Sequence, residues 1–103
     1  MKIIAESAFN HNGSFNELVN LALESKKAGA DYFTVQVMNV NQFCVNDYEK
    51  YQLYKDTEFS EAQWIELFDI CKKNKIDVIP CVLEEASLEL CYNYGFRLLK
   101  LHA

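Results

Sequence analysis

The chain has 103 residues, room for one small domain, and half of them are hydrophobic, so it can bury a core rather than stay disordered. Ten basic residues against fifteen acidic ones leave a net charge of -5, which argues against a nucleic-acid backbone or an anionic membrane as main partner. No apolar run reaches the ~18 residues of a membrane span, and MKIIAES turns polar too soon for a signal peptide. The four cysteines, Cys44, Cys71, Cys81 and Cys91, form no C-x-x-C pair, so a zinc ribbon is disfavoured and reduced thiols in a cytoplasmic protein are expected.

Met1 to Ser7 reads as a short buried strand, with Ile3, Ile4 and Ala5 continuous and Glu6 at its end. A polar loop follows, Asn10-His11-Asn12-Gly13. Binding groups gather where strands end and helices begin, although Asn-Gly is also an ordinary turn. Ser14-Phe15-Asn16-Glu17 is a capping box, and Leu18, Leu21, Ala22, Ser25 and Ala28 recur behind it at helical spacing up to Gly29. Tyr32 to Met38 is β-branched and aromatic and reads as a second strand, apolar on both faces.

Residues 39–59 form a long polar connection containing Tyr48, Tyr51 and Tyr54, a length that marks a functional loop or a small helix of its own, with a turn or two expected over Asp47 to Tyr54. Ser60-Glu61-Ala62-Gln63 is a second capping box, and Trp64, Leu67, Phe68 and Cys71 give the next helix its apolar stripe. Ile76 to Val82 is the third strand, with Pro80 expected near its end. Glu84 or Glu85 starts a third helix that Gly95 closes, and Arg97 to His102 reads as a fourth strand. The order is β-α-β-α-β-α-β, which implies an α/β fold with a parallel sheet. The chain has three glycines and only Gly13 follows the first strand, so a dinucleotide-binding fold is disfavoured. Half of an eight-stranded (β/α) barrel would show this pattern, a whole barrel needing about 250 residues.

Four segments carry a resemblance. AESAFNHNG at 5–13 resembles A-E-I-G-x-N-H-N-G, and AGADYFTVQ at 28–36 resembles A-G-A-D-x-x-K-F-Q. FSEAQWIELFDICKKNKIDVI at 59–79 is similar to L-S-x-E-x-x-x-L-x-x-x-C-K-x-x-G-I-x-F-L, and YGFRLLKLHA at 94–103 to L-G-V-x-x-F-K-I-A-S. These patterns belong to the sialic acid synthases, phosphoenolpyruvate-dependent enzymes that make N-acetylneuraminate and related nonulosonic acids. The resemblance implies that residues 1–103 are strands one to four of a synthase-like catalytic domain, the N-terminal half of a TIM (β/α)8 barrel.

The resemblance also implies a reaction, the condensation of phosphoenolpyruvate with N-acetylmannosamine, its 6-phosphate or a related amino sugar. It implies a divalent metal, Mn or Mg, with ligands that come from later strands. Glu6 matches a sugar-contacting glutamate, Gln36 a sugar-binding glutamine and Lys100 a lysine that contacts phosphoenolpyruvate. Asn10, His11 and Asn12 match the loop that shapes the site, and none of them is expected as a metal ligand. No residue is assigned as catalytic, and a homodimer is a partner that the family's habit allows.

Plainer readings stand beside these. Glu6 could pair with Lys100, Gln36 could be a satisfied strand-end amide, His102 reads as an ordinary strand residue, and the tyrosines of 39–59 could pack rather than stack on a sugar. The sequence also departs from the family. Thr34 stands where the lysine of K-F-Q falls, Ala8 replaces a glycine, Pro80-Cys81-Val82 replaces S-T-P, and Ala103 stands where a substrate-touching serine falls. The alternative is therefore a non-catalytic, degenerate half-barrel that self-associates through its open sheet edges.

Overall fold

The computed structural model describes residues 2–7, 11, 13–39, 51–56 and 58–101, with Leu53, Tyr54 and Leu101 known by their backbone alone. The elements run β1 (Ile4–Glu6), α1 (Phe15–Lys27), β2 (Tyr32–Val37), α2 (Tyr51–Asp56), α3 (Glu61–Lys73), β3 (Val78–Val82), α4 (Glu85–Tyr94) and β4 (Lys100–Leu101). All strand pairs are parallel, and the sheet order is β1-β2-β3-β4. A doubly wound sheet reverses direction at a switch point. Strict chain order does not, and it is the order of a barrel wall.

The helices start where side chains satisfy their free amides. Ser14 Oγ accepts from Glu17 N at 3.2 Å in α1. In α3 the box is reciprocal: Ser60 Oγ accepts from Gln63 N at 3.2 Å, and Ser60 N donates to Gln63 Oε1 at 2.9 Å. They end through backbone bonds. After α1, Gly29 N donates to Lys26 O and Ala30 N to Ser25 O; after α3, Lys75 N donates to Lys72 O and Ile76 N to Cys71 O. After α4, Gly95 N and Phe96 N close the same way onto Tyr92 O and Cys91 O. This closing turn needs one left-handed residue. Gly29 (φ 91°) and Gly95 (φ 125°) supply it as expected, and Lys75 (φ 59°) does so without being glycine.

The core lies on one side of the sheet. Phe33, Val35 and Val37, alternate residues of β2, pack with Leu18 and Ala22 of α1, with Trp64, Leu67, Phe68 and Cys71 of α3, and with Cys91 of α4. Burying each of the larger side chains stabilises the fold by about 1.5–3 kcal/mol. A second tie joins α3 to α4, where Tyr94 Oη donates to Asp69 Oδ1 at 2.6 Å.

Several expectations are corrected. Strand one is not buried, since Ile3 and Ile4 are 55% and 51% exposed: helices cover only the face that Ala5 joins. Among the described residues its ordered ladder is Ile4–Glu6, and the fourth strand begins at Lys100 rather than Arg97, with Lys100–Leu101 described and His102 outside the described residues. Pro80 sits in the middle of β3 rather than at its end, which is tolerated because pairing with β4 begins only at Cys81. Of the expected turn over 47–54, the described helix is Tyr51–Asp56.

Two outcomes follow. Lys75→Gly removes a left-handed penalty larger than the backbone entropy that glycine adds, so urea unfolding should show a gain of about 0.5–1 kcal/mol. Burial pushes the Cys71 thiol up to about 11 and the Cys91 thiol up to about 12. The unfolded thiols lose protons from about pH 9 upward while the folded ones keep theirs, so stability should fall as pH rises through that range. The slope approaches about 1.4 kcal/mol per pH unit per thiol, read by urea unfolding at successive pH values.

Candidate functional site

Side chains alternate along a strand, so the residues between the core positions face away from the helices. On β2 these are Tyr32, Thr34 and Gln36. The parallel register extends them across the sheet in two rows. Glu6 lies opposite Thr34 and Thr34 opposite Ile79; Gln36 lies opposite Cys81 and Cys81 opposite Lys100. One face thus collects an acid, an amide, a hydroxyl, a thiol and an ammonium near the C-terminal ends of four strands, where barrel enzymes keep their chemistry.

Lys100 Nζ donates to Glu6 Oε1 at 3.2 Å. These residues sit on the two outermost strands, and neighbouring strands are ~4.8 Å apart, so the two long side chains reach toward each other over the face of β2 and β3. Both ends of the pair are wet, with side-chain exposures of 57% and 60%. An exposed pair of this kind contributes ~0.2–1 kcal/mol.

Gln36 is half-buried beside this pair, and Thr34 is 7% exposed. Ser7 closes the end of β1 onto β2: its N donates to Thr34 O at 3.2 Å and its Oγ to the same oxygen at 3.3 Å. Cys81 is the member that sequence reasoning missed. It is 5% exposed, and burial pushes its thiol up, with Lys100 drawing it down and Glu6 adding to the rise. The thiol is therefore protonated, sitting between an amide and an ammonium in one row. The signal was its parity with Gln36 and Lys100, which becomes readable only once the register is known.

His11 is placed differently. It is 2% exposed, its ring packs on Phe59 with centroids 4.8 Å apart, and Nδ1 accepts from Gly13 N at 3.0 Å. Burial lowers its pKa, so the neutral ring is the stable form, and with Nδ1 accepting, the ring proton sits on Nε2. The residue builds the loop wall from the helix side rather than joining the Glu6–Lys100 pair. Asn10, Asn12, Ala8, Cys44, Tyr48, His102 and Ala103 lie outside the described residues. Among the described residues no group of three His, Cys, Asp or Glu side chains is placed to hold a metal ion, and no helix is long and apolar enough to cross a membrane.

No family model matches the chain. It is 37% identical over 82 residues to an uncharacterized protein of Methanocaldococcus jannaschii, a match that covers 80% of this chain and 24% of that protein. Among solved structures it superposes on the N-acetylneuraminic acid (sialic acid) synthetase of Leptospira borgpetersenii serovar Hardjo-bovis, solved in complex with citrate, with a TM-score of 0.87 and 25% identity. That match covers 96% of this chain and 35% of the synthetase. The chain is similar in fold and motif order to the sialic acid synthases. Spore coat polysaccharide biosynthesis proteins E of Chromobacterium violaceum and Bacillus subtilis share the fold at TM-scores of 0.75 and 0.73, both at 24% identity, with 33% and 28% of their chains covered. The synthase-like chain thus spans about a third of the solved structures and about a quarter of the archaeal relative. Its sheet is the first half of their (β/α)8 barrels, as the motif order implies.

Because the Glu6–Lys100 pair is wet, Lys100→Ala should change unfolding free energy by less than about 1 kcal/mol in urea titration. A larger loss would mark the pair as structural.

Proposed function

We propose that this chain is part of a synthase that condenses phosphoenolpyruvate with N-acetylmannosamine, its 6-phosphate or a related amino sugar, with the rest of the barrel needed for turnover. The observation that carries this reading is the joint placement of Glu6, Gln36 and Lys100 on one face at strand ends. In the reaction a bond forms between C3 of phosphoenolpyruvate and the aldehyde carbon of the open-chain sugar. The aldehyde oxygen becomes a hydroxyl, water adds at C2, and phosphate leaves.

Lys100 would hold the carboxylate or phosphate of phosphoenolpyruvate. Its bond to Glu6 is exposed and weak, so an arriving anion can take the ammonium over and leave Glu6 free to accept from sugar hydroxyls. Gln36, with a carbonyl and an amide, can both accept from and donate to the sugar. A divalent Mn or Mg ion would polarise the aldehyde when bound. The described residues supply no ligand set for it, and no step here runs through it.

The weak point of the anion site is Thr34, which faces the same space without a charge. The second reading, a non-catalytic half-barrel that self-associates, is favoured by the apolar part of that face, where Ile4 on the edge strand is 51% exposed.

Calorimetric titration of phosphoenolpyruvate into the protein, with and without Mn²⁺, tests the proposal. Binding that Lys100→Ala removes, and that Thr34→Lys strengthens about tenfold or more, is the expected result, since a charge-assisted contact is worth about 1.5–3 kcal/mol. A folded sample that binds nothing at millimolar phosphoenolpyruvate sinks the synthase reading. If that sample is also dimeric in sedimentation, the self-associating half-barrel stands in its place.

A further inference from the structure

Among the described residues β3 pairs with β4 at two places, Cys81 with Lys100 and Val82 with Leu101. Ahead of them, residues 77–79 and 96–98 share no ladder, and a cavity of about 530 Å³ opens in the gap. It lies at the N-terminal ends of β2 and β3, where Tyr32 and Val78 border it, and so at the opposite ends of the strands from the Glu6–Lys100 pair. Its size falls within the ~300–1,000 Å³ of small-molecule sites. Every lining residue, and the neighbours of each along the chain, are among the described residues.

One wall is aromatic and already assembled. Tyr94 and Phe96 stack with ring centroids 5.4 Å apart and planes 26° apart, and both rest on the buried Phe68, at 5.1 and 4.8 Å. Tyr94 and Phe96 are half-buried, so both present surface to the cavity. The Tyr94–Asp69 hydrogen bond fixes the outer ring. Ile79 and Leu98 continue the apolar surface. A corner held this way loses little freedom when something covers it.

The rim is cationic. It carries Lys72, Lys75 and Arg97 against one acid, Asp77, in a chain whose net charge is -5. Lys72 and Lys75 are exposed and make no ion pair among the described residues. Arg97 is held without an acid: Nη1 donates to Tyr92 O at 3.3 Å and to Phe96 O at 3.1 Å, and the guanidinium lies 4.6 Å from the centre of the Tyr92 ring. Like charges gathered around an apolar hollow repel one another and favour an anion. Inorganic phosphate would meet the cations but leave the aromatic wall wet. A neutral aromatic would cover the wall and leave the cations unpaired. A flat ring bearing one carboxylate does both.

We propose that this cavity binds a small aromatic carboxylate, with its ring on the Tyr94–Phe96 corner and its charge on the Lys72, Lys75 and Arg97 rim. The site is separate from the strand-end face and does not depend on the function proposed for it.

The test is a calorimetric titration of naphthoate into the protein, alongside naphthamide and inorganic phosphate, with amide NMR shifts to place the bound molecule. Saturable one-to-one binding of naphthoate at millimolar concentration or below is the expected result, with shifts centred on residues 75–79 and 94–98. Naphthamide, which keeps the ring and loses the charge, should bind at least about tenfold more weakly. Phosphate should not bind, and added salt should weaken naphthoate. Lys72→Gln combined with Lys75→Asn removes two charges, and asparagine tolerates the left-handed turn, so the fold should persist while affinity falls at least about fivefold. Absence of saturable naphthoate binding, equal binding of naphthamide, tight binding of phosphate, shifts centred on Glu6, Gln36 and Lys100, or an unchanged affinity in the double variant would each overturn the proposal. Should that variant fail to fold, the three titrations and the shifts of the unaltered protein decide alone.

Discussion

The parallel register between β2 and its two neighbours is the constraint on which the rest depends. It sets Glu6 opposite Thr34, and Gln36 opposite Cys81, while committing Phe33, Val35 and Val37 to the helices. A slip of one residue would exchange these sets, burying a glutamine against α3 and turning phenylalanine and valine outward. The hydrophobic layer built on α1, α3 and α4 therefore does more than stabilise the sheet. By fixing which parity is apolar, it fixes which side chains reach the other face. Core packing and site composition are two consequences of one alternation.

That alternation explains the composition of the strand-end face. An acid and an ammonium on the outermost strands can meet only over the intervening residues, so their ion pair lies across Thr34, Gln36 and Cys81. The pair is exposed, so it contributes little to stability and is free to exchange partners. The uncharged Thr34 and the thiol of Cys81 both act on this same small space. The face is less cationic than the motifs of the sialic acid synthases imply, and Cys81 gives it a neutral, buried sulfur beside the remaining ammonium.

Much of the fold is legible from local signals. The Ser14 and Ser60 caps, the stripe from Trp64 to Cys71, and Gly29 and Gly95 each mark an element by chemistry contained within a few residues. What local reading misplaces is what depends on distant partners. Ile4 reads as buried because it is apolar, yet the helices lie on the face of Ala5. The fourth strand reads as six residues because its sequence permits it, whereas β3 offers pairing partners only from Cys81. His11 sits in a polar run, and local reading does not show that it is buried, because that burial depends on Phe59, far along the chain. Glu6, Gln36 and Lys100 could be assigned to strand ends from sequence, but the inclusion of Cys81 among them required the register.

The joints between helix and strand carry a consequence for how such a chain changes over time. Each of the three is closed by main-chain amides and carbonyls, and the left-handed position is glycine in two and Lys75 in the third. Apart from the left-handed position itself, side-chain identity therefore matters little to the closure of these corners. Mutations there alter the strain of a turn without altering where the next strand begins. Change can accumulate around these corners while the strand framework stays in place. A scaffold whose corners are written in backbone keeps presenting the same strand ends while the groups carried on them, such as Thr34 and Cys81, are free to be exchanged.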